Sequence, residues 1–205
     1  MLLIVFEGID GTGKTTLINN LAQTLKTIQP NSKVIIINGL GSTNIGTSIR
    51  EMFLFNPKMI SETRYFLSFA NLIQIQNELI KPHLKTNTII LMDRYLGSNF
   101  AYQAYPFQID PHYSIFQLIQ KKFLKPQITV LIDLEPKIAL KRKGDLIDLI
   151  ENQPLSYFQQ VVKGYQLFFN HYLKTDYKIK LNGLNSTLQH QTVIFNYLDL
   201  IKSLN

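Results

Sequence analysis

The run Gly8-Ile9-Asp10-Gly11-Thr12-Gly13-Lys14-Thr15-Thr16 constrains this chain more than any other stretch, because of what flanks it. Before it lies an apolar run, Leu2–Phe6; after it comes a segment of helical spacing with Leu17, Leu21, Leu25 and Ile28. Glycines at 8, 11 and 13 let a backbone turn tightly with its N–H groups facing an anion, and a helix starting there adds a dipole and unpaired donors. A lysine closing such a turn reaches the β- and γ-phosphates of a nucleoside triphosphate, and the next hydroxyl ligates Mg²⁺. The pattern in this context predicts a phosphate-binding loop over residues 8–16, with Lys14 on the phosphates and Thr15 on the metal.

Further short runs rich in β-branched residues, Val34–Ile37, Thr88–Met92, Ile128–Leu134 and Tyr177–Leu181, read as buried strands. Segments of helical spacing separate them, among them Phe158, Val161, Val162, Tyr165, Phe168, Phe169 and Tyr172. Strand–helix alternation predicts an α/β fold, a parallel sheet with helices on both faces, and ligands beyond the carboxyl ends of its strands. The last helical stretch, with Val193, Ile194, Tyr197, Leu198, Ile201 and Leu204, is expected to pack back onto the sheet. The aromatic stripe from Phe158 to Tyr172 is expected to serve the core or a dimer contact rather than a base.

At 205 residues, 45% of them hydrophobic, the chain has room for one sizeable core, so a single domain over 1–205 is expected. Its charge of +7 is scattered, with short clusters such as Lys121-Lys122 and Lys141-Arg142-Lys143, which suits small polyanions better than nucleic acid. No cysteine is present, Glu7 interrupts the first apolar run, and no run approaches the roughly 20 residues of a bilayer span. The expectation is a cytoplasmic protein without membrane or nucleic-acid partners. The four histidines lack metal-ligand or catalytic spacing.

A second constellation follows the strand Thr88–Met92. Asp93-Arg94-Tyr95 and then Ser98, Ala101, Tyr102 and Gln103 fall where ligands are expected. Arg94 has the planar fork suited to a phosphate, and Asp93 could hold Mg²⁺ or its water shell; an ion pair closing the strand end is the alternative. The run Asp93 through Gln103, with Phe6-Glu7-Gly8-Ile9-Asp10, Ile80-Lys81-Pro82 and Asp148-Leu149-Ile150-Glu151, resembles the thymidylate kinases, a family of P-loop nucleoside monophosphate kinases. The resemblance implies a three-layer sandwich whose five-stranded parallel sheet has the order 2-3-1-4-5. It implies ATP as donor, dTMP as acceptor, Mg²⁺ as cofactor and a homodimer. An acceptor-binding region at about 38–83 and a short lid at about 141–152 follow from it as well.

Position by position, the resemblance puts Asp10 on the acceptor's 3′-hydroxyl and Arg94 on its phosphate. Tyr102 would crowd the 2′ position, with Ser98, Asn99 and Gln103 around the base. Arg50 would help with the phosphate, or else is a solvated helix arginine. Because Gly11 occupies the loop position that carries an arginine in one lineage of the family, the lid should supply the transition-state cation. Lys141, Arg142 and Lys143 are the candidates, with Arg142 preferred for its bidentate fork.

Three departures accompany the likeness. Asn38-Gly39-Leu40-Gly41-Ser42-Thr43 lacks the acidic residue, proline and arginine usual after the second strand. Ser68 and Leu72 stand where a base-stacking phenylalanine and a base-reading arginine are usual, with Phe66 or Phe69 able to restore the stacking. Leu149 replaces part of an Asp-Arg pair in the lid. These changes predict an altered or relaxed base preference. Two rival readings remain: a deoxynucleoside kinase with Glu7 as base, and a nucleotide-binding paralogue of weak activity.

Overall fold

The computed structural model describes residues 1–143 and 148–203, the last three by backbone alone. Strand β1 (Leu2–Glu7) leads through the phosphate loop into α1 (Lys14–Ile28), followed by β2 (Lys33–Asn38), α2 (Asn44–Phe55) and α3 (Ser61–Ile75). Helix α3 runs on through a π turn, Gln76–Ile80, until Pro82 ends it in a 3₁₀ turn. Then come β3 (Thr88–Asp93), α4 (Leu96–Asn99), a π turn at Phe100–Ala104, α5 (Tyr105–Phe107) and α6 (Ser114–Gln120). The chain closes with β4 (Ile128–Asp133), α7 (Pro136–Lys143), α8 (Leu155–Leu167), β5 (Tyr177–Asn182) and α9 (Thr187–Ser203).

All neighbouring strands pair in parallel, in the order β2-β3-β1-β4-β5 expected from the resemblance. The central strands are covered on both faces, which is why they read as unbroken apolar runs. Alternation along β1 divides the core: Leu3 and Val5 face α3 and the aromatic cluster of Phe100, Phe116 and Phe168. Ile4 and Phe6 face α1, through Leu17, Leu21 and Leu25, and α9, through Ile194 and Leu198. Val193 points outward instead, while the side chain of Ile201 and all of Leu204 lie outside the described residues. Edge strand β5 alternates, burying Ile179 and Leu181 and exposing Lys178 and Lys180. Among the described residues no helix is long and apolar enough to cross a membrane.

Candidate functional site

The register of the three central strands builds the site. Phe6 pairs with Asp93, so the phosphate loop after β1 and the Arg94 turn after β3 emerge side by side. In the loop, Lys14 is buried and folds back to donate to the Ile9 carbonyl at 2.8 Å, as does the Thr12 hydroxyl at 2.9 Å. Burial, reinforced by the nearby Arg94 charge, lowers the lysine's pKa to about 8 against the opposing pull of Asp10, Asp93 and Glu7. Gly11 sits at φ +79° against α7, where an added Cβ would come within 2.0 Å of the Ala139 carbonyl oxygen. Gly11→Ala is therefore expected to displace the loop or α7 and cost about 2–3 kcal/mol of stability, read by denaturant unfolding.

Thr15 donates its hydroxyl to Asp93 Oδ2 at 3.2 Å, while Asp93 Oδ1 is buried without a hydrogen-bond partner. An orphaned carboxylate oxygen beside a hydroxyl is what a hard cation would satisfy, so this pair fits Mg²⁺. No group of three or more acidic or histidine residues that could hold a metal occurs among the described residues, so phosphate oxygens and water would complete the shell.

Arg94 adopts φ +72°, a left-handed conformation that side chains disfavour. Its N–H donates to the Phe6 carbonyl at 2.9 Å, and its own carbonyl presses on Gly39, where a Cβ would lie only 2.1 Å away. The guanidinium donates to Asp10 Oδ1 at 2.7 Å, to Ser98 Oγ at 3.1 Å and to the Tyr165 hydroxyl at 3.0 Å. It also lies 5.0 Å from the centre of the Tyr102 ring. Tyr102 donates to Asp10 Oδ2 at 3.1 Å. Burial alone would raise the Asp10 pKa, but Arg94, with help from Lys14 and Lys143, outweighs it and holds the carboxyl well below the usual range. Burial pushes the Glu7 carboxyl up, against hydrogen bonds from Ser98 and Tyr95 and the charge of Arg94.

These groups open onto one cavity of about 420 Å³ that also reaches Arg50, Ser98, Asn99, Tyr102 and Gln103. Ser68 and Leu72, four residues apart and so on one side of α3, line its far wall. Phe69 does not: one residue on from Ser68 it is turned about 100° around the helix, into the aromatic cluster with Tyr65 and Phe116. Phe66 is 48% exposed and lies outside the cavity lining too, so neither phenylalanine restores the expected stacking. Asn99 donates its amide to the Tyr65 carbonyl at 3.1 Å and to Ser68 Oγ, which leaves its Oδ1, like Gln103 Oε1, buried without a partner.

The loop after β2 lines the cavity through Asn38, Gly39 and Leu40, held by Asn71, which donates to the Gly39 carbonyl at 2.7 Å. Residues 148–151, the described end of the expected lid, lie beside it. Leu149 N–H donates to the Leu54 carbonyl at 3.1 Å, and Asp148 Oδ1 accepts the amides of Ile150 and Glu151, both at 2.9 Å. Residues 144–147, the middle of the expected lid, lie outside the described residues. The structure takes Arg142 away from the cavity, because its guanidinium donates to the Gly183 carbonyl at 2.7 Å beyond β5. Lys143, next along, pairs with Glu151 of the cavity wall.

Tyr165 is a core residue, as expected of the stripe, and has a polar contact besides. Its ring packs with the stripe on α8, while its hydroxyl meets the site residues from behind, 2.7 Å from Ser98 Oγ and 3.3 Å from the Gly8 carbonyl. A tyrosine among phenylalanines was the available signal, since a buried phenol seeks a partner.

Residues 6–185 match the family profile described as thymidylate kinase. A thymidylate kinase of Desulforudis audaxviator is 36% identical over 172 residues, covering 80% of this chain and 76% of that protein. One from a Sulfurihydrogenibium species is 39% identical over 167 residues, 79% of this chain and 80% of that protein. The thymidylate kinase of Wolbachia pipientis wMel is 33% identical over 168 residues, 80% of this chain and 83% of its own length.

Proposed function

The chain belongs to the thymidylate kinase family of phosphotransferases acting on nucleotides, and on that premise we propose that it transfers the γ-phosphoryl group of ATP to dTMP, yielding dTDP. The observation that carries the reading is the single cavity joining Lys14 and the Thr15–Asp93 pair to the Asp10–Arg94 pair. A triphosphate grip and a second anion grip on one cavity suit two nucleotides meeting end to end. We read residues 1–205 as one kinase domain, with the acceptor region at about 38–83 and the lid at about 141–152.

Phosphoryl transfer needs the two nucleotides in line, water excluded and positive charge on the moving group. Residues 8–16 would cradle the donor phosphates, with Lys14 on the β/γ-oxygens. Thr15 and Asp93 would hold Mg²⁺, which neutralises charge on those oxygens. Arg94 would take the acceptor phosphate, aided by Arg50, while Asp10 meets the 3′-hydroxyl and Tyr102 disfavours a ribose. The acceptor phosphate is already an anionic nucleophile, so no general base is needed. Of Arg142 and Lys143, Lys143 is the better candidate for the transferring phosphoryl, since its partner Glu151 lies on the cavity wall whereas Arg142 is held at Gly183, away from it.

For the base, the wall offers Leu72, Ser68 and two carboxamide oxygens without a partner, and among the described lining residues the guanidinium groups are those of Arg50 and Arg94, both assigned above to the acceptor phosphate. Those oxygens welcome an N–H of the base, while the carbonyl beside it goes without a charged donor. We therefore propose a relaxed preference among pyrimidine deoxynucleoside monophosphates. Glu7 is a poor general base for a nucleoside: it is 2% exposed, outside the cavity lining, and accepts hydrogen bonds from Tyr95 and Ser98. As for assembly, apolar side chains seven residues apart, Ile45 with Met52 on α2 and Phe66 with Ile73 on α3, are exposed and suit a homodimer face. Soluble nucleotide substrates suit a cytoplasmic enzyme.

Product analysis with ATP and Mg²⁺ tests the reaction. dTMP is expected to give dTDP and thymidine to remain unchanged; phosphorylation of thymidine instead would make the protein a deoxynucleoside kinase, and ATP binding without turnover a binding paralogue. A pH series adds an independent signature. Lys14 of the free enzyme loses its proton near pH 8, so kcat/KM for ATP is expected to fall up to about tenfold per unit above that pH. Bound triphosphate restores that proton, so kcat should fall less.

A further inference from the structure

Arg94 grips through a turn that its own side chain does not favour, and three contacts over-determine that turn. Its N–H reaches the Phe6 carbonyl, its carbonyl lies against Gly39, and the next amide, of Tyr95, donates to Glu7 Oε1 at 2.9 Å. The first two involve backbone alone, so Glu7 is the side chain on which the turn depends.

The same carboxylate sets the direction of the hydrogen bonds around the guanidinium. Ser98 Oγ lies 2.6 Å from Glu7 Oε2, and a hydroxyl beside an acceptor-only carboxylate donates its proton there. The serine's lone pairs are then left for Arg94 Nη1 at 3.1 Å and the Tyr165 hydroxyl at 2.7 Å. Tyr165 in turn accepts from Arg94 and gives its one proton to Ser98, with the Gly8 carbonyl 3.3 Å away, which sets the guanidinium beside the loop after β1. One edge of the fork is thus fixed from behind, while Nη2, on Asp10, faces the cavity.

We infer that Glu7 is the positioning residue of the acceptor grip: by accepting the Tyr95 amide and the Ser98 hydroxyl it holds Arg94 in the left-handed turn and aims its guanidinium at the acceptor phosphate. It acts through Arg94, and the inference rests on the proposed role of Arg94 as that grip. Glu7 is buried at the carboxyl end of β1, outside the cavity lining.

Steady-state kinetics of Glu7→Asp, Glu7→Gln and Arg94→Ala, with ATP and dTMP varied separately, tests this. The shorter aspartate cannot span both partners, so Glu7→Asp is expected to raise the KM for dTMP about tenfold or more while the KM for ATP stays within about twofold. Glutamine keeps an oxygen for the Tyr95 amide, and Glu7→Gln is expected to fall between wild type and Glu7→Asp. A dTMP KM within twofold of wild type in Glu7→Asp, equal rises in both KM values, or a Glu7→Gln worse than Glu7→Asp overturns the inference. Should Glu7→Asp not fold, Glu7→Gln alone decides: a selective rise in the dTMP KM of about threefold supports it and an unselective or absent rise overturns it. If Arg94→Ala leaves the dTMP KM unchanged, the reading of Arg94 itself fails; if Arg94→Ala raises it and neither Glu7 variant does, only the positioning role fails.

Discussion

Lys14→Ala is expected to lower kcat/KM for ATP by about a thousandfold, roughly 4 kcal/mol of transition-state stabilisation, while leaving the unliganded protein at least as heat-stable as wild type. The two halves of that expectation have one cause. In the free enzyme the ammonium is buried, its hydrogen bonds among the described residues go to the neutral Ile9 carbonyl and, at 3.5 Å, to Thr12 Oγ1, and burial and Arg94 lower its pKa to about 8 against the pull of Asp10, Asp93 and Glu7. A lysine whose folded pKa is lowered carries a charge that opposes folding below that pKa. Removing it at pH 7 relieves the cost, offset by the lost bond to Ile9. With ATP bound the same charge faces phosphate oxygens and becomes the strongest contact in the loop. Kinetics and a thermal melt of the unliganded variant check both halves; a large drop in melting temperature together with lost activity would assign Lys14 a structural role instead.

Arg94→Ala is expected to lower kcat/KM for dTMP by about a hundredfold to a thousandfold, with a much smaller effect on ATP. It should also change acid stability. Asp10 has its pKa depressed in the folded state, so the pair contributes stability above the ordinary carboxylate range that is lost as pH falls through and below it. The Asp10 side chain is 34% exposed, and solvent screening limits this contribution to about 1 kcal/mol. The stability gap between wild type and Arg94→Ala, followed by urea unfolding, should therefore start to narrow as pH falls below about 4 and go on narrowing at still lower pH. A gap independent of pH would mean that Arg94 stabilises the fold through packing alone.

The three central strands were legible because parallel strands buried on both faces leave contiguous apolar runs. The edge strands β2 and β5, expected as buried too, are present but half exposed, since each has a neighbour on one side alone. The turn between β1 and α1 was legible for a related reason: its glycines at 8, 11 and 13 all adopt positive φ and the helix begins at Lys14, the geometry that the order of residues demanded. What the residues did not disclose turns on the direction of single side chains. Phe69 and Ser68 are neighbours, and about 100° of helix rotation decides which one meets the cavity. Arg142 and Lys143 divide in the same way between the Gly183 carbonyl and Glu151. Tyr165 packs as core and touches Arg94 only through its hydroxyl, so periodicity alone files it with its phenylalanine neighbours. The left-handed turn at Arg94 has no local sequence mark, because its determinants, Phe6, Glu7 and Gly39, come from two other strand ends.

The central claim is a monophosphate kinase whose lining guanidinium groups, Arg50 and Arg94, serve the acceptor phosphate and leave none for the base. ADP release measured with ATP, Mg²⁺ and, in turn, dTMP, dUMP, dCMP, dGMP and dAMP tests it most directly. Turnover of dTMP is expected, with dUMP within about tenfold of it in kcat/KM and the purine nucleotides well below. Strict selectivity for dTMP, or no turnover with any of the five, would contradict it.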